Sequence, residues 1–375
     1  MLPLKALSKQ SGDEDLGLGI ADSIITKVSQ VRQLTVRPTS AVRKYAMQDV
    51  DSLQAAQTLK VDSVLDGSVQ RSGDRLRVSV NLLRVSDGAS LWAESFDLRL
   101  TDIFAIQDEV SQQVAARLRL KLSPDEHARL AKRYTASPEA YEHYLKGMRS
   151  FDEGTAAIFG GRQLVEAIAQ FQKATELDAR YALARAHLAY CYAWMALFIE
   201  PQNREWFHRY NAEIERAWQL DPDLAEIHVA RHEVLWSAYS GFKIEEAIRE
   251  LQQAQQLNPS IGHSQLGVLY SHLGLVEPAV RRLERALEID PTSAFNQERL
   301  IEHFALTARH QDSIAAAERF SRRPRTLLAY LATNRLDEAE QAVQREGDAR
   351  ANDLLWQSSR AQLLALQGKF REAEA

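Results

Sequence analysis

The chain of 375 residues has only one cysteine, Cys191, so it can form neither an internal disulfide nor a cage of thiolate ligands around a metal ion. It also lacks a surplus of positive charge, because 46 Lys and Arg residues stand against 51 Asp and Glu residues. Nucleic-acid binding depends on a basic face that neutralises phosphates, so we predict no direct nucleic-acid binding. No window approaches the roughly 20 apolar residues that span a bilayer, which predicts a soluble chain without a membrane span.

Motifs of catalysis and cofactor binding are incomplete. Gly17 and Gly19 form a G-x-G pair, but neither a third glycine nor a P-loop lysine completes a nucleotide fingerprint, so we predict no cofactor. His228 and His232 lie one helical turn apart, as in some zinc sites. Arg231 occupies the position where the inverted zinc motif needs Glu, so we predict no metal. With no nucleophile elbow and no kinase or cyclase signature, we predict no catalytic residues and no enzyme.

Within residues 1–122, some segments repeat apolar residues at helical spacing, and others alternate apolar and polar residues as strands do. This mixture predicts an α+β domain. The predicted order is β-α-β-α-β-β-β-α. Hydrophobic periods predict helices over 16–31, 51–59 and 103–122. Apolar runs predict strands at 2–7 and at 34–38, the second stopped by Pro38. Alternating apolar and polar residues over 61–98 predict three further strands joined by hairpin turns at Ser72-Gly73-Asp74 and at 86–89.

Five runs within this region carry a family resemblance; they lie at 18–29, 34–45, 64–78, 91–97 and 102–109. They resemble the TolB-amino-terminal-like domain, and the likeness covers the whole predicted domain. In bacteria such domains typically lie between an effector domain and tetratricopeptide repeats. The resemblance implies a regulatory setting, with an effector that is a winged-helix DNA-binding domain of the CadC-like kind, a serine/threonine kinase or an adenylate cyclase.

The rest of the chain repeats one phrase, in which an alanine is followed three residues later by Leu or Ile and then by Asp or Asn. The phrase begins at four positions, Ala174, Ala217, Ala254 and Ala286. The intervals of 43, 37 and 32 residues bracket the period of tetratricopeptide repeats, about 34 residues. Small residues let the two helices of a hairpin approach closely, and Asp-Pro or Asn-Pro ends the second helix in three of the copies.

We therefore predict an all-α tetratricopeptide-repeat array over 137–375, with about six helical hairpins. Ser137-Pro138 marks the start of its first helix, and a capping box at Ser123 predicts a linker helix within 123–136. An insertion around 201–209 widens the second hairpin. The array is expected to be truncated at the carboxyl terminus, because residues 368–375 read as the middle of a hairpin.

In a stack of such hairpins the first helices line a concave groove, which is the usual binding face. Aligning the repeats predicts a protein or extended peptide as the partner in this groove. Mixed aromatic and acidic residues would suit a peptide with apolar anchors and basic residues. The alternative is that the tryptophans pack between helices and the acids are solvated surface. The predicted groove residues are Tyr190, Trp194, Glu233, Trp236, His272, Glu298 and Glu302.

These observations predict a non-catalytic protein-interaction and signal-sensing module of a bacterial regulator. On the resemblance alone, a winged-helix transcriptional regulator is favoured for the missing output domain. The alternatives are the regulatory part of a serine/threonine kinase or adenylate cyclase, and a free-standing repeat scaffold. The expected compartment is the cytoplasm, or the periplasm if the parent protein has a membrane span upstream.

Overall fold

A computed structural model of the protein describes residues 1–7, 13–46, 50–99, 103–156, 161–320, 327–346 and 354–369. These residues are mostly helical, with one small four-stranded sheet near the amino terminus. Contacts between residues divide the chain into two compact units, Met1–Gly262 and His263–Ala375.

The sheet of the first unit has the order β1-β2-β3-β4, with β1 (Lys5–Ala6) parallel to β2 (Ser63–Ser72). Strands β3 (Arg75–Arg84) and β4 (Ser90–Arg99) continue it as antiparallel neighbours. Both predicted hairpins are confirmed, and Gly73 takes the positive φ of 64° that the first tight turn requires. The predicted alternation also holds in β3, whose inward-facing side chains are buried: Leu76, Val78, Val80 and Leu82.

Six helices accompany the sheet: α1 (Asp13–Val28), α2 (Thr39–Val42), α3 (Ser52–Leu59), α4 (Ile103–Arg117), α5 (Pro124–Leu130) and, at the edge of the repeats, α6 (Pro138–Ala156). A single 3-10 turn, Arg43–Tyr45, follows α2. The predicted capping box of α5 is present, because Ser123 Oγ accepts from the Glu126 backbone N–H at 3.2 Å and Glu126 Oε2 accepts from the Ser123 N–H at 2.8 Å. Helix α4 ends earlier than predicted, where Arg119 adopts a φ of 55° and the chain turns.

The strand predicted at 34–38 is wrong. Those residues form an extended connection that joins no sheet, and the observed order is β-α-α-α-β-β-β-α. The side chain of Arg37 holds this connection, donating from Nε to the Leu59 carbonyl oxygen at 2.7 Å and from Nη2 to the Lys60 carbonyl oxygen at 2.9 Å. These bonds tie the connection to the end of α3. Pro38 has no N–H to donate to a neighbouring strand, which also disfavours pairing.

A polar seam, defined here as Ser23, Lys27, Gln107, Asp108 and Tyr141, joins α1, α4 and α6. Lys27 Nζ forms an ion pair with Asp108 Oδ1, and Ser23 Oγ donates to Gln107 Oε1 at 2.8 Å. The Tyr141 hydroxyl donates to the carbonyl oxygen of a residue in α1 and accepts from Gln107 Nε2 at 3.4 Å. The seam borders a cavity of about 30 Å³. These bonds hold the sheet-bearing region against the first helical hairpin.

The residues that the structure describes contain six helical hairpins, three in each unit, followed by one further helix. The first unit contains α6 with α7 (Gly161–Leu177), α8 (Ala182–Trp194) with α9 (Glu205–Leu220), and α10 (Ala225–Leu235) with α11 (Ile244–Leu257). The second unit contains α12 (His263–His272) with α13 (Val276–Ile289), α14 (Ala294–Leu306) with α15 (His310–Arg319), α16 (Leu327–Ala332) with α17 (Leu336–Glu346), and α18 (Leu354–Leu366).

The repeated phrase has the structural role that its residues predict. Its four alanines are buried, and the four second helices end at the Leu or Ile of the phrase: Leu177, Leu220, Leu257 and Ile289. The Asp or Asn that follows often closes the turn with its own side chain; for example, Asn258 Oδ1 accepts from the Ser260 N–H at 3.0 Å. Close approach requires small residues, since a Cβ on Gly147 would lie 2.6 Å from the Phe171 ring.

Of the insertion predicted around 201–209, residues 201–204 lie between α8 and α9 after a π-helical turn, Met195–Ile199, and residues 205–209 belong to α9. The predicted truncation falls largely on residues 370–375, which lie outside the described residues. The predicted boundaries of the domain, the linker and the array, at 1–122, 123–136 and 137–375, stay predictions.

Candidate interaction site

Helix α8 supplies the centre of the candidate site. The residues Ala182–Ile199 are long and apolar enough to cross a membrane by length and composition, with a mean hydropathy of 1.3. However, 67% of this segment is buried within the protein, as in the central helix of a packed core. Its small residues face neighbouring helices and are buried, among them Ala184, Ala189 and Ala193. Two aromatic residues of α8, Tyr190 and Trp194, fall on the remaining face, whereas Tyr192 is buried.

Three aromatic residues follow one another along that face at intervals of one helical turn: Tyr190, Trp194 and Phe198. The ring centroids of Tyr190 and Trp194 are 6.1 Å apart, and those of Trp194 and Phe198 are 5.4 Å apart in a T-shaped arrangement. Phe151 from α6 extends the row, 5.5 Å from the Tyr190 ring. These four residues are called the aromatic row below. Ring pairs at these separations stabilise one another and form a firm apolar surface.

The exposure of the side chains increases along the row from Tyr190 to Phe198. Tyr190 and Trp194 are half-buried, whereas Phe198 is 42% exposed. Within the described part of the chain, Trp194 Nε1 is buried without an acceptor. The ring of Trp194 thus contributes apolar surface and no polar contact. Phe198 is the member best placed to meet a partner in solution.

His187 packs beneath the row, one turn before Tyr190. Its ring centroid lies 5.5 Å from that of Tyr144 and 6.4 Å from that of Phe151. Burial lowers the pKa of His187 to about 4, although its Nδ1 lies 3.0 Å from the Leu183 carbonyl oxygen. The imidazole is therefore neutral at neutral pH and serves the packing of the rings.

The acid predicted beside this row lies within the protein. Glu233 of α10 is 7% exposed, and its Oε1 accepts a hydrogen bond from the Tyr190 hydroxyl at 2.9 Å. His232 Nε2 lies 3.7 Å from the same oxygen. Trp236 follows α10 and is half-buried, with its backbone N–H donating to the His232 carbonyl oxygen at 3.3 Å. The structure thus brings Tyr190, Trp194 and Glu233 together.

The other predicted groove residues belong to the second unit. His272 is exposed at the end of α12, and its Nδ1 lies 2.8 Å from the Val268 carbonyl oxygen. Glu298 is buried in α14. Glu302, in the same helix, forms an ion pair with Arg299 at 2.8 Å and is 18% exposed. Two of the three predicted acids are therefore buried, and the third is neutralised by an arginine.

Phe151 and Phe198 complete the row but were missed by the sequence analysis. Phe198 follows Trp194 by four residues, and this spacing alone could have indicated it. Phe151 comes from another hairpin, and no local pattern indicates that its ring meets Tyr190.

The histidine pair considered as a zinc site is engaged within the protein. His228 Nδ1 lies 2.6 Å from Glu250 Oε2, and its ring packs edge-on against Trp218 with centroids 5.6 Å apart. His232 Nδ1 faces the Val229 carbonyl oxygen. No group of three or more His, Cys, Asp or Glu side chains in the described ranges is arranged to hold a metal ion.

Comparison with known proteins finds a family match in the amino-terminal region. Residues 4–114 match the family described as HilA/YgeH-like transcriptional regulator, second domain. A protein of Rhizobium meliloti (strain 1021), provisionally named adenylate cyclase 3, is 33% identical over 182 residues. That alignment covers 48% of this chain and 30% of the relative, so this chain matches less than a third of the relative's length. Residues 4–114 are therefore similar to a domain of transcriptional regulators.

Solved structures of IFIT1 are distant in comparison. A monomeric mutant of IFIT1 with m7Gppp-AAAA has a TM-score of 0.38 and 16% identity, over 72% of this chain and 54% of that one. The human IFIT1 dimer with PPP-AAAA has a TM-score of 0.36 and 13% identity, over 99% of this chain and 95% of that one. At these scores the likeness supports no inference about function.

Proposed function

We propose that this chain is a non-catalytic protein-interaction and signal-sensing module of a bacterial regulatory protein, and that its aromatic row binds an extended segment of another polypeptide. The observation that carries the proposal is the row itself. Phe198, at its end, packs against the Trp194 ring and is still 42% exposed. Aromatic anchors of this kind dominate the binding energy of many protein interfaces. Helical hairpins present such anchors on a rigid surface.

The match of residues 4–114 to a transcriptional-regulator domain supports the regulatory part of the proposal. We favour a winged-helix transcriptional regulator as the parent protein. The relative named as an adenylate cyclase supports a second candidate, the regulatory part of a cyclase. A kinase parent and a free-standing scaffold are further alternatives. The proposal applies equally to a module in the cytoplasm and to one in the periplasm.

The binding partner is expected to use apolar anchors more than basic residues. Glu233 already accepts a hydrogen bond from Tyr190, and Glu302 is already paired with Arg299. Glu233 is also buried, so neither carboxylate presents an exposed, unpaired charge to a basic peptide, and electrostatic attraction contributes little at these positions.

Selection of a displayed peptide library on the purified chain tests this proposal. Peptides with aromatic or large aliphatic anchors should be enriched, and synthetic versions should bind in fluorescence anisotropy. Phe198→Ala should weaken binding by roughly tenfold, because an exposed anchor is removed without disturbing a buried group. Phe242→Ala is the matched control, since Phe242 is 60% exposed and is not a member of the row. Equal weakening by both variants, or by neither, would contradict the assignment.

A separate measurement tests the absence of catalysis. The purified chain, incubated with ATP and Mg²⁺, should form no cyclic AMP above a buffer control. Formation of cyclic AMP that depends on the concentration of the chain would overturn the non-catalytic assignment. The coding sequence around this chain would distinguish the proposed parent proteins, because a winged-helix domain and a cyclase domain have different sequence signatures.

A further inference from the structure

A groove in the second unit is lined by arginines, in contrast to the acidic residues of the groove predicted from the sequence. It lies between the end of α12 and the start of α13, and it encloses about 470 Å³. Its lining residues are Tyr270, Leu275, Pro278, Arg281, Arg282 and Arg285. The volume is within the range of sites that hold small molecules or short peptide segments, roughly 300–1,000 Å³.

The turn between the two helices builds this groove. Gly274 adopts a φ of 70°, and the Leu275 N–H donates to the Tyr270 carbonyl oxygen at 2.9 Å. This closure places Leu275, which is 45% exposed, next to Tyr270. Helix α13 then begins, and Arg281 and Arg285 follow on one face, one turn apart.

The three arginines supply the charge of the groove. Arg281 is exposed and pairs with no carboxylate among the residues that the structure describes. Arg282 Nη1 lies 3.5 Å from His263 Nδ1, and Arg285 Nη1 forms an ion pair with Glu288 at 2.8 Å. No carboxylate of the described part of this unit lines the groove itself. The groove therefore carries a net positive charge although the chain as a whole is acidic.

We propose that this groove binds a short acidic peptide segment that also carries an apolar side chain. Guanidinium groups hold carboxylates through paired hydrogen bonds, which accounts for the arginines. Leu275, Pro278 and the Tyr270 ring form an apolar floor that suits an aliphatic anchor between the carboxylates. This site is separate from the aromatic row, and either assignment can fail without the other.

A nucleic-acid strand fits the groove less well. Strand binding requires a track of cations that follows successive phosphates. Helix α13 instead places acidic residues close to its arginines, and Glu277 and Glu288 are 70% and 63% exposed. These carboxylates would repel a phosphate backbone that continues past the groove, whereas a peptide can place neutral residues beside them.

Fluorescence anisotropy of the full chain tests the proposal with three labelled probes of equal length. They are a dodecapeptide of Glu-Leu-Asp-Glu repeats, its Lys-Leu-Lys-Lys counterpart, and an oligothymidylate. The acidic peptide should bind with a Kd on the order of 10–100 μM, and the basic peptide should not bind. Arg281→Glu should weaken the acidic peptide roughly tenfold or more, because it reverses a charge that faces the ligand.

Arg319→Glu is the matched control, because Arg319 is an exposed arginine of the same unit on α15, outside the groove. It should change the affinity by less than about twofold. Leu275→Ser should weaken binding severalfold if the apolar floor takes an aliphatic side chain, and unchanged binding would refute that floor. The proposal is overturned if Arg281→Glu and Arg319→Glu behave alike. Tighter binding of oligothymidylate than of the acidic peptide, lost in Arg281→Glu, would also overturn it.

Discussion

The ion pair between Lys27 and Asp108 offers the most direct test of how the sheet-bearing region is held against the first hairpin. The side chain of Lys27 is only 3% exposed and that of Asp108 is 15% exposed. Asp108→Asn removes the negative charge and leaves the ammonium buried. Loss of one partner of a buried pair costs about 3–5 kcal/mol. The adjoining cavity of about 30 Å³ has room for a water molecule, which lowers our expectation to about 3 kcal/mol.

The other partner of Asp108 supplies the control. Arg133 Nε lies 2.7 Å from Asp108 Oδ2, but the Arg133 side chain is 54% exposed. Arg133→Gln should therefore cost less than about 1 kcal/mol, as is usual for a solvated pair. The double variant Lys27→Met with Asp108→Leu should recover most of the loss, because apolar groups can replace a buried pair at little cost. Urea unfolding followed by tryptophan fluorescence measures all four proteins, and an Asp108→Asn cost no larger than that of Arg133→Gln would refute the reasoning.

Three further predictions concern buried groups of the first unit. Burial lowers the pKa of His187 to about 4. Between about pH 6.5 and pH 4 the unfolded chain takes up a proton at this residue and the folded chain does not. The free energy of unfolding should therefore fall by roughly 1–3 kcal/mol as the pH drops through this range. His187→Phe should remove that part of the loss in urea titrations at the two pH values. Burial raises the pKa of the Cys191 thiol, so Ellman's reagent should label it in urea and not in the native protein, and rapid native labelling would contradict its burial. A Cβ on Gly17 would lie 2.2 Å from the Leu4 carbonyl oxygen. Gly17→Ala should therefore destabilise the fold by about 1–3 kcal/mol, seen as a thermal midpoint several degrees lower. Gly161→Ala should leave the midpoint unchanged, because its Cβ would meet only the Ile199 side chain at 3.3 Å.

Local sequence patterns predicted the features that depend on local physics. The repeated phrase predicted where the second helices end, because its Asp or Asn closes the turn after positions such as Leu257. The segment at 34–38 shows the limit of this reasoning. Its apolar residues suggest a strand, but the Arg37 side chain reaches the end of α3, and no local pattern reveals that bond.

The candidate site was predicted in part for the same reason. Tyr190 and Trp194 fall on one face of α8 at helical spacing, and the structure places their rings together. Phe151 joins them from an earlier hairpin, and the approach of α6 to α8 depends on packing across the whole first unit. No sequence pattern indicates a role for His187, yet its ring packs among aromatic rings.

The charge available for binding depends on what each side chain already contacts. The sequence contains more acids than bases, and the aligned repeats placed three of those acids in the expected groove. Glu233 and Glu298 are buried, and Glu302 is paired with Arg299, so little of that negative charge reaches the surface. Arg281 is exposed at the edge of a groove that no described carboxylate lines. A search for ligands of this chain should therefore include acidic peptides as well as apolar ones, although net charge alone would favour basic partners.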